Sequence, residues 1–313
     1  MQLIRYFFTV GLVVILITAF VTRFTNKGLR QSHVDFYGKM NAAFDSTKQT
    51  NALLVGSSRV LVHLDPKIID SVTGLNSYNL GLNAASIKTC FNILSGAIKC
   101  QKKLKVVVLS IDYNAFSIEQ DPYKDAYYYP FENEGLYVIK TDSGNVRLVH
   151  KIRLFDVSLY DDYVKYAAID GLLRPKRILQ YYKGYVPHLE LNDFDNKLNS
   201  ATAGNEITYS TEAFKILKLC IAICKQHNVK LIMVMAPYFK DQSPGKNFPN
   251  AAEYINTIEL TAKQNEIPFY NYTNMSIAGE REYFYNVNHL NIKGATLYTK
   301  ALADSIKKYL ESN

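Results

Sequence analysis

No glycine-rich phosphate fingerprint occurs in this sequence. Neither G-x-G-x-x-G nor G-x-x-x-x-G-K-[ST] is present, so nothing supports nucleotide binding. Cysteine is scarce, with four in 313 residues. Cys90 and Cys100 fall in one predicted helix, Cys220 and Cys224 one turn apart in another. Without a C-x-x-C pair or a histidine-rich neighbour, they read as small buried hydrophobes and not as metal ligands. Internal repeats are also absent. A formal charge of +8 is modest for this length, and lysines scattered through "KKLK" (Lys102–Lys105) and "IKKYLES" (Ile306–Ser312) read as solvated helix faces. That argues against a nucleic-acid footprint, which would be clustered.

What the chain does have is apolar residues, at 48% of positions, enough to bury a sizeable core and to exclude intrinsic disorder. The longest uncharged apolar run is "YFFTVGLVVILITAFVT", Tyr6 to Thr22, between Arg5 and Arg23. As a helix it spans roughly 25 Å, the short end of a bilayer crossing, which snorkelling arginines extend. Residues 1–30 are therefore expected to be a membrane anchor with the lipid bilayer as partner. A cleaved signal peptide is the rival reading, and "TAFVTRF" lacks an A-x-A-like cleavage site. Arg5 before the run and Arg23, Lys27 and Arg30 after it leave the sidedness undecided by charge.

Beyond the run, "LRQSHVDFYGKMNAAFDSTKQT" (Leu29–Thr50) reads as an amphipathic connector helix. Five short apolar segments have strand character: one opening "NALLVGSSRV" (Asn51–Val60), then Ser77–Gly81, Lys105–Ile111, Lys230–Pro237 and Pro268–Tyr272. Helical patterns alternate with them. Ser86 is the expected N-cap of one helix, and Ser210, followed by Glu212 in the first turn, that of another. This rhythm predicts an α/β fold, a three-layer doubly wound parallel sheet covered on both faces, spanning residues 31–313.

Residues from about 116 to 204 interrupt the rhythm as an inserted Tyr-rich subdomain. It contains "YKDAYYYPFENEGLY" (Tyr123–Tyr137), a hairpin pattern around Ser143-Gly144, and a helical stretch from Ser158 to Tyr182. An insertion after the third strand would lie over the usual ligand face of such a sheet. Its tyrosines are suited either to stacking on sugar rings or to packing the insertion against the main domain.

The first strand ends in Gly56-Ser57-Ser58-Arg59, at the edge where parallel sheets bind ligands. A serine there is either a helix N-cap or a nucleophile presented at a helix start. Near the other end, His289 sits in a polar loop before the last helix, whose start Gly294 and Ala295 mark. In a doubly wound sheet, Ser58 and His289 both reach the same carboxyl edge.

Four blocks in order, "VGSSR" (Val55–Arg59), "YNLG" (Tyr78–Gly81), "SIDYNAF" (Ser110–Phe116) and "NHLNIKGA" (Asn288–Ala295), resemble the SGNH/GDSL hydrolase superfamily. The likeness extends to its membrane-anchored envelope-glycan branch, D-alanine transfer protein-like and exopolysaccharide acetyltransferase-like. The resemblance implies an SGNH/flavodoxin-like fold, a catalytic Ser58, and His289 as the base that takes its proton and returns it to the leaving alcohol. It further implies an oxyanion hole from the N–H groups of Ser58 and Gly81, each worth about 3 kcal/mol at a transition state. No cofactor and no metal are implied. A cell-surface glycan or acyl-ester substrate, a membrane acyl-donor protein and an extracytoplasmic domain are.

Two positions depart from the family pattern. Asn286 stands where the family carries the aspartate that orients the histidine; an amide can orient an imidazole, as in Cys-His-Asn sites, without charge to stabilise the imidazolium. Asp112 falls in the register of the family's oxyanion-hole asparagine block, where an ionised carboxylate would repel an oxyanion; either it is protonated, or it serves backbone donors structurally, with Asn114 and Asn83 as the substitute oxyanion donors. Three readings follow: an anchored serine esterase or acyltransferase acting on acetyl or other acyl groups, a catalytically weakened domain that binds glycan or partners, and an unrelated fold in which Ser58 and His289 are only caps.

Overall fold

A computed structural model describes residues 1–116, 121–134, 136, 138–139, 156–174, 182–189, 210–240 and 250–312. The hairpin pattern at Ser143-Gly144 and much of the insertion lie outside these residues. The chain divides into two compact units, one of Met1–Phe44 with Tyr123–Ile178, the other of Asp45–Pro122 with Leu179–Asn313.

The first unit begins with α1 (Gln2–Leu29), which holds an unburied apolar window of mean hydropathy 2.2. Its length and composition suit a membrane crossing or a signal sequence. Past that window α1 packs on α6 (Asp162–Leu173), and there the backbones touch: a Cβ on Gly28 would strike the Ala168 carbonyl, and one on Gly171 the Gly28 carbonyl. The connector contributes α2 (Asp35–Ala43), whose Phe36 and Tyr37 are fully buried. Phe36 stacks on Tyr123 at 5.1 Å and meets Tyr128 edge-on at 5.2 Å, while Tyr37 stacks on Phe131 and Tyr163, each at 6.2 Å. Tyr123, Tyr127 and Tyr128 are thus buried within this aromatic cluster, which withdraws them from sugar stacking.

The second unit is the α/β domain. Its strands are β1 (Ala52–Val55), β2 (Ser77–Asn79), β3 (Val106–Ser110), β4 (Lys230–Met235) and β5 (Phe269–Asn271). They form one parallel sheet in the order β2-β1-β3-β4-β5. β1 and β3 are buried along their whole length, as continuous apolar runs in a sheet covered on both faces must be. The connections include α3 (Ser58–His63), α4 (Pro66–Thr73), α5 (Ile87–Cys100), α7 (Thr211–Gln226) and α8 (Ala251–Gln264). A two-stranded antiparallel ribbon, β6 (Phe284–Asn286) and β7 (His289–Leu290), precedes the closing helix α9 (Ile292–Glu311).

Helix starts follow the side chains that cap them. Ser86 accepts from the Lys88 N–H and Ser210 from the Ala213 N–H, satisfying otherwise orphaned donors. Cys90, Cys220 and Cys224 are buried free thiols whose ionisation burial pushes up, so they are unreactive.

In the first unit, burial lowers Lys39 from an ordinary pKa of 10.5 to about 7, against the opposing pull of Asp35. The folded chain releases this proton near neutrality while the unfolded chain holds it to higher pH, so stability rises with pH through that interval. Replacing Lys39 by Met should raise the full-length protein's melting temperature at pH 7 and flatten its rise between pH 7 and 9. Thermal melts in detergent check this, and a variant with the wild-type slope would contradict it.

Candidate active site

Strand β1 delivers the chain to the carboxyl edge of the sheet, where Gly56 follows its last residue. There is no room there for a side chain, since a Cβ would lie 2.5 Å from the Val60 Cγ2 and 2.9 Å from the Ser110 Cβ. The two serines that follow divide the work. Ser57 caps α3, its Oγ accepting from the Arg59 N–H at 3.2 Å and donating to the Asp112 Oδ2 at 2.7 Å. Ser58, half-buried in the first turn, directs its Oγ at the Nε2 of His289, 2.8 Å away.

The tautomer of His289 follows from its other partner. The Asn286 Oδ1 accepts the backbone N–H groups of Asn288 and His289, both at 3.0 Å, which identifies that amide atom as the oxygen. The same oxygen lies 3.0 Å from the His289 Nδ1. Nδ1 must therefore carry the hydrogen, and Nε2 presents its lone pair to the Ser58 hydroxyl. Ser58, His289 and Asn286 are joined in one hydrogen-bond chain across 231 residues of sequence. Neither Ser58 nor His289 is a cap: α9 is capped by the Asn291 Oδ1, which accepts from the N–H groups of Lys293 and Gly294.

One sequence-based expectation is corrected. The Gly81 N–H is not free for an oxyanion, because it donates to the Asn79 Oδ1 at 2.9 Å. Asn79 in turn donates to the carbonyls of Val60 at 2.7 Å and Leu64 at 2.8 Å, so the "YNLG" block fastens β2 to α3. Gly81 is required for contact, since a Cβ there would collide with the backbone of Leu61 and Val60. Asp112 is a structural acceptor, as the sequence allowed, with side chains and not backbone groups as its donors. It is buried, and its Oδ1 accepts from the Arg59 Nε at 2.8 Å, an ion pair within the fold. Asn83 and Asn114 are exposed on the loops that follow β2 and β3 at this same edge.

Other residues around the pair escaped the sequence reading. The buried Arg59 guanidinium donates to the Asn288 carbonyl at 2.6 Å and to the carbonyls of Ala236 and Pro237 at 2.8 and 2.9 Å, and lies 3.5 Å over the Tyr238 ring. His63 is fully buried, and its Nε2 accepts the Leu290 N–H at 2.9 Å. Burial, with the neighbouring Arg59 charge, holds its pKa well below the ordinary range, so it stays neutral. His188, also depressed by burial, stacks on Tyr285 at 3.9 Å and meets the His289 ring edge-on at 5.8 Å. A charged residue beside the serine and a histidine closing the short run "SRVLVH" were the visible signals. Nothing local to His188 marks its approach.

Among the described residues no cluster of acidic, histidine or cysteine side chains could hold a metal. No protein-family model and no curated protein sequence matches the chain. Solved structures do. It is similar to a Bacteroides fragilis protein assigned as an acylhydrolase, at 12% identity and a TM-score of 0.45, over 83% of this chain and 88% of that one. A Desulfitobacterium hafniense protein assigned to the G-D-S-L lipolytic family matches at 9% identity and a TM-score of 0.43, over 82% and 98%. A GDSL-like lipase from Bacteroides thetaiotaomicron matches at 14% identity and a TM-score of 0.42, over 86% and 96%.

Because the Gly81 contacts are with backbone that cannot swing aside, Gly81→Ala should destabilise the protein by about 2–3 kcal/mol. Urea denaturation measures this. An unchanged stability with lost activity would instead return Gly81 to the oxyanion hole.

Proposed function

We propose that the protein is a membrane-anchored serine esterase or O-acyltransferase of the SGNH type, acting on acyl groups, acetyl foremost, of a cell-surface glycan. The observation that carries this reading is the Ser58–His289–Asn286 hydrogen-bond chain at the carboxyl edge of the sheet. Ser58 Oγ attacks the ester carbonyl as its proton passes to the His289 Nε2. The tetrahedral intermediate collapses to an acyl-serine, and His289 returns the proton to the departing alcohol. Water or a sugar hydroxyl then repeats the sequence in reverse, giving hydrolysis or transfer. The Ser58 N–H, with the side-chain amides of Asn114 and Asn83, is the candidate donor set for the oxyanion. The anchor is assigned to Tyr6–Thr22, and the active domain to the extracytoplasmic side, where such acceptors are found. A membrane protein supplying the acyl group would be the partner of the transferase form.

Asn286 favours one second reading, a weakened domain that binds glycan or partner proteins. The amide oxygen keeps the imidazole in the productive tautomer but gives the imidazolium no countercharge. Replacing a charge-assisted hydrogen bond by a neutral one forgoes on the order of 1–2 kcal/mol, about tenfold in rate. Asn286→Asp should therefore raise esterase activity about tenfold.

Cells expressing the full chain, treated with a membrane-impermeant fluorophosphonate probe, test the proposal. Ser58 should become labelled, the label should stay with carbonate-washed membranes, and Ser58→Ala and His289→Ala should each abolish labelling and acetyl-ester hydrolysis. The double variant should be little worse than either single one, as expected of residues acting as a unit. Glycan binding by a wild type and an Asn286→Asp variant that both remain unlabelled would favour the binding module.

A further inference from the structure

We propose that Arg59 is a positioning residue that sets the Ser58–His289 separation; this rests on the function proposed above. Its guanidinium is buried and holds four separate acceptors: the Asp112 carboxylate through Nε, the Asn288 carbonyl through one terminal nitrogen, and the Ala236 and Pro237 carbonyls through the other. The Tyr238 ring closes its face at 3.5 Å. The four acceptors belong to three different stretches of the carboxyl edge, after β3, before β7 and, for Ala236 and Pro237 together, after β4.

The placement of these anchors bears directly on the pair. Arg59 follows Ser58 in the chain, and Asn288 precedes His289. Asp112 reaches the other side of Ser58 as well, through the Ser57 hydroxyl at 2.7 Å. The nucleophile is thus held on both flanks by one buried ion pair, and the histidine is held to the same cation by the carbonyl of its neighbour. Only a planar fork with several donors can serve these positions together, so lysine cannot replace it.

Arg59→Lys and the near-isosteric Asp112→Asn test the inference in the full-length protein, beside Ile306→Val, a core change about 21 Å along α9 from its start. A misplacement on the order of 1 Å costs about a hundredfold in rate. For Arg59→Lys, kcat and the rate of fluorophosphonate labelling should both fall about a hundredfold while KM stays within about threefold. Asp112→Asn keeps an acceptor without its charge and should lose about tenfold. Ile306→Val should leave both rates unchanged. Crystal structures of wild type and variants supply a readout independent of activity, in which the Ser58 Oγ and His289 Nε2 should move beyond hydrogen-bond reach in Arg59→Lys. Variants in which the pair stays in contact and labels at the wild-type rate would overturn the inference. If wild type itself does not label, the enzyme reading fails, and an opened or unchanged pair in the variants decides the role of Arg59 alone.

Discussion

One buried guanidinium draws the carboxyl edge of the sheet together. Removing Arg59 and Asp112 from water costs several kcal/mol per ion, and that cost is offset only when every donor finds a well-placed acceptor. The fold satisfies this through the carboxylate of Asp112 and the carbonyls of residues 236, 237 and 288, which come from three separate loops. An unpaired charge here would be far costlier than a missing apolar contact, so these loops can close in few ways. Ser57, Ser58 and His289 sit on the segments so constrained, and the 2.8 Å contact between serine and histidine is a local result of that closure.

Asn286 determines what the contact can do. Its oxygen already accepts two backbone N–H groups, which fixes both the amide's orientation and the turn that carries His289. The imidazole adds a third donor to an acceptor that is already in place. An aspartate's two contributions, orientation and countercharge, are thus separated in this protein: the first is retained and the second is not. His63 and His188 surround the same ring as neutral neighbours, so neither supplies a countercharge.

The parts of this arrangement legible in the sequence were those written over short distances. Apolar runs of four to six residues marked the central strands β1, β3 and β4, and Ser86 and Ser210 announced their helices, because strand burial and helix capping act between near neighbours. Ser58 and His289 were legible through motif blocks, since each block is itself local. The structural role of Asp112 was legible but its partner was not, because Arg59 lies 53 residues away and no spacing rule connects them. Gly81 was misread for the opposite reason: the acceptor of its N–H is a side chain only two residues back, a turn that looks from sequence like any other strand end. The aromatic cluster in the first unit joins Phe36 and Tyr37 to Tyr123–Phe131 and Tyr163, pairings of long sequence separation between segments that each looked self-contained.

The central claim is that an uncharged relay holds His289 ready to take a proton from Ser58, and the hydrogen on its ring tests that claim most directly. In protein labelled with nitrogen-15 histidine, long-range nitrogen–proton correlation spectra distinguish the two neutral forms of the imidazole. The account predicts a hydrogen on Nδ1 and a lone pair on Nε2 for His289, and loss of that preference in Asn286→Ala. A hydrogen resident on Nε2 in the wild-type protein would leave Ser58 without an acceptor and contradict it.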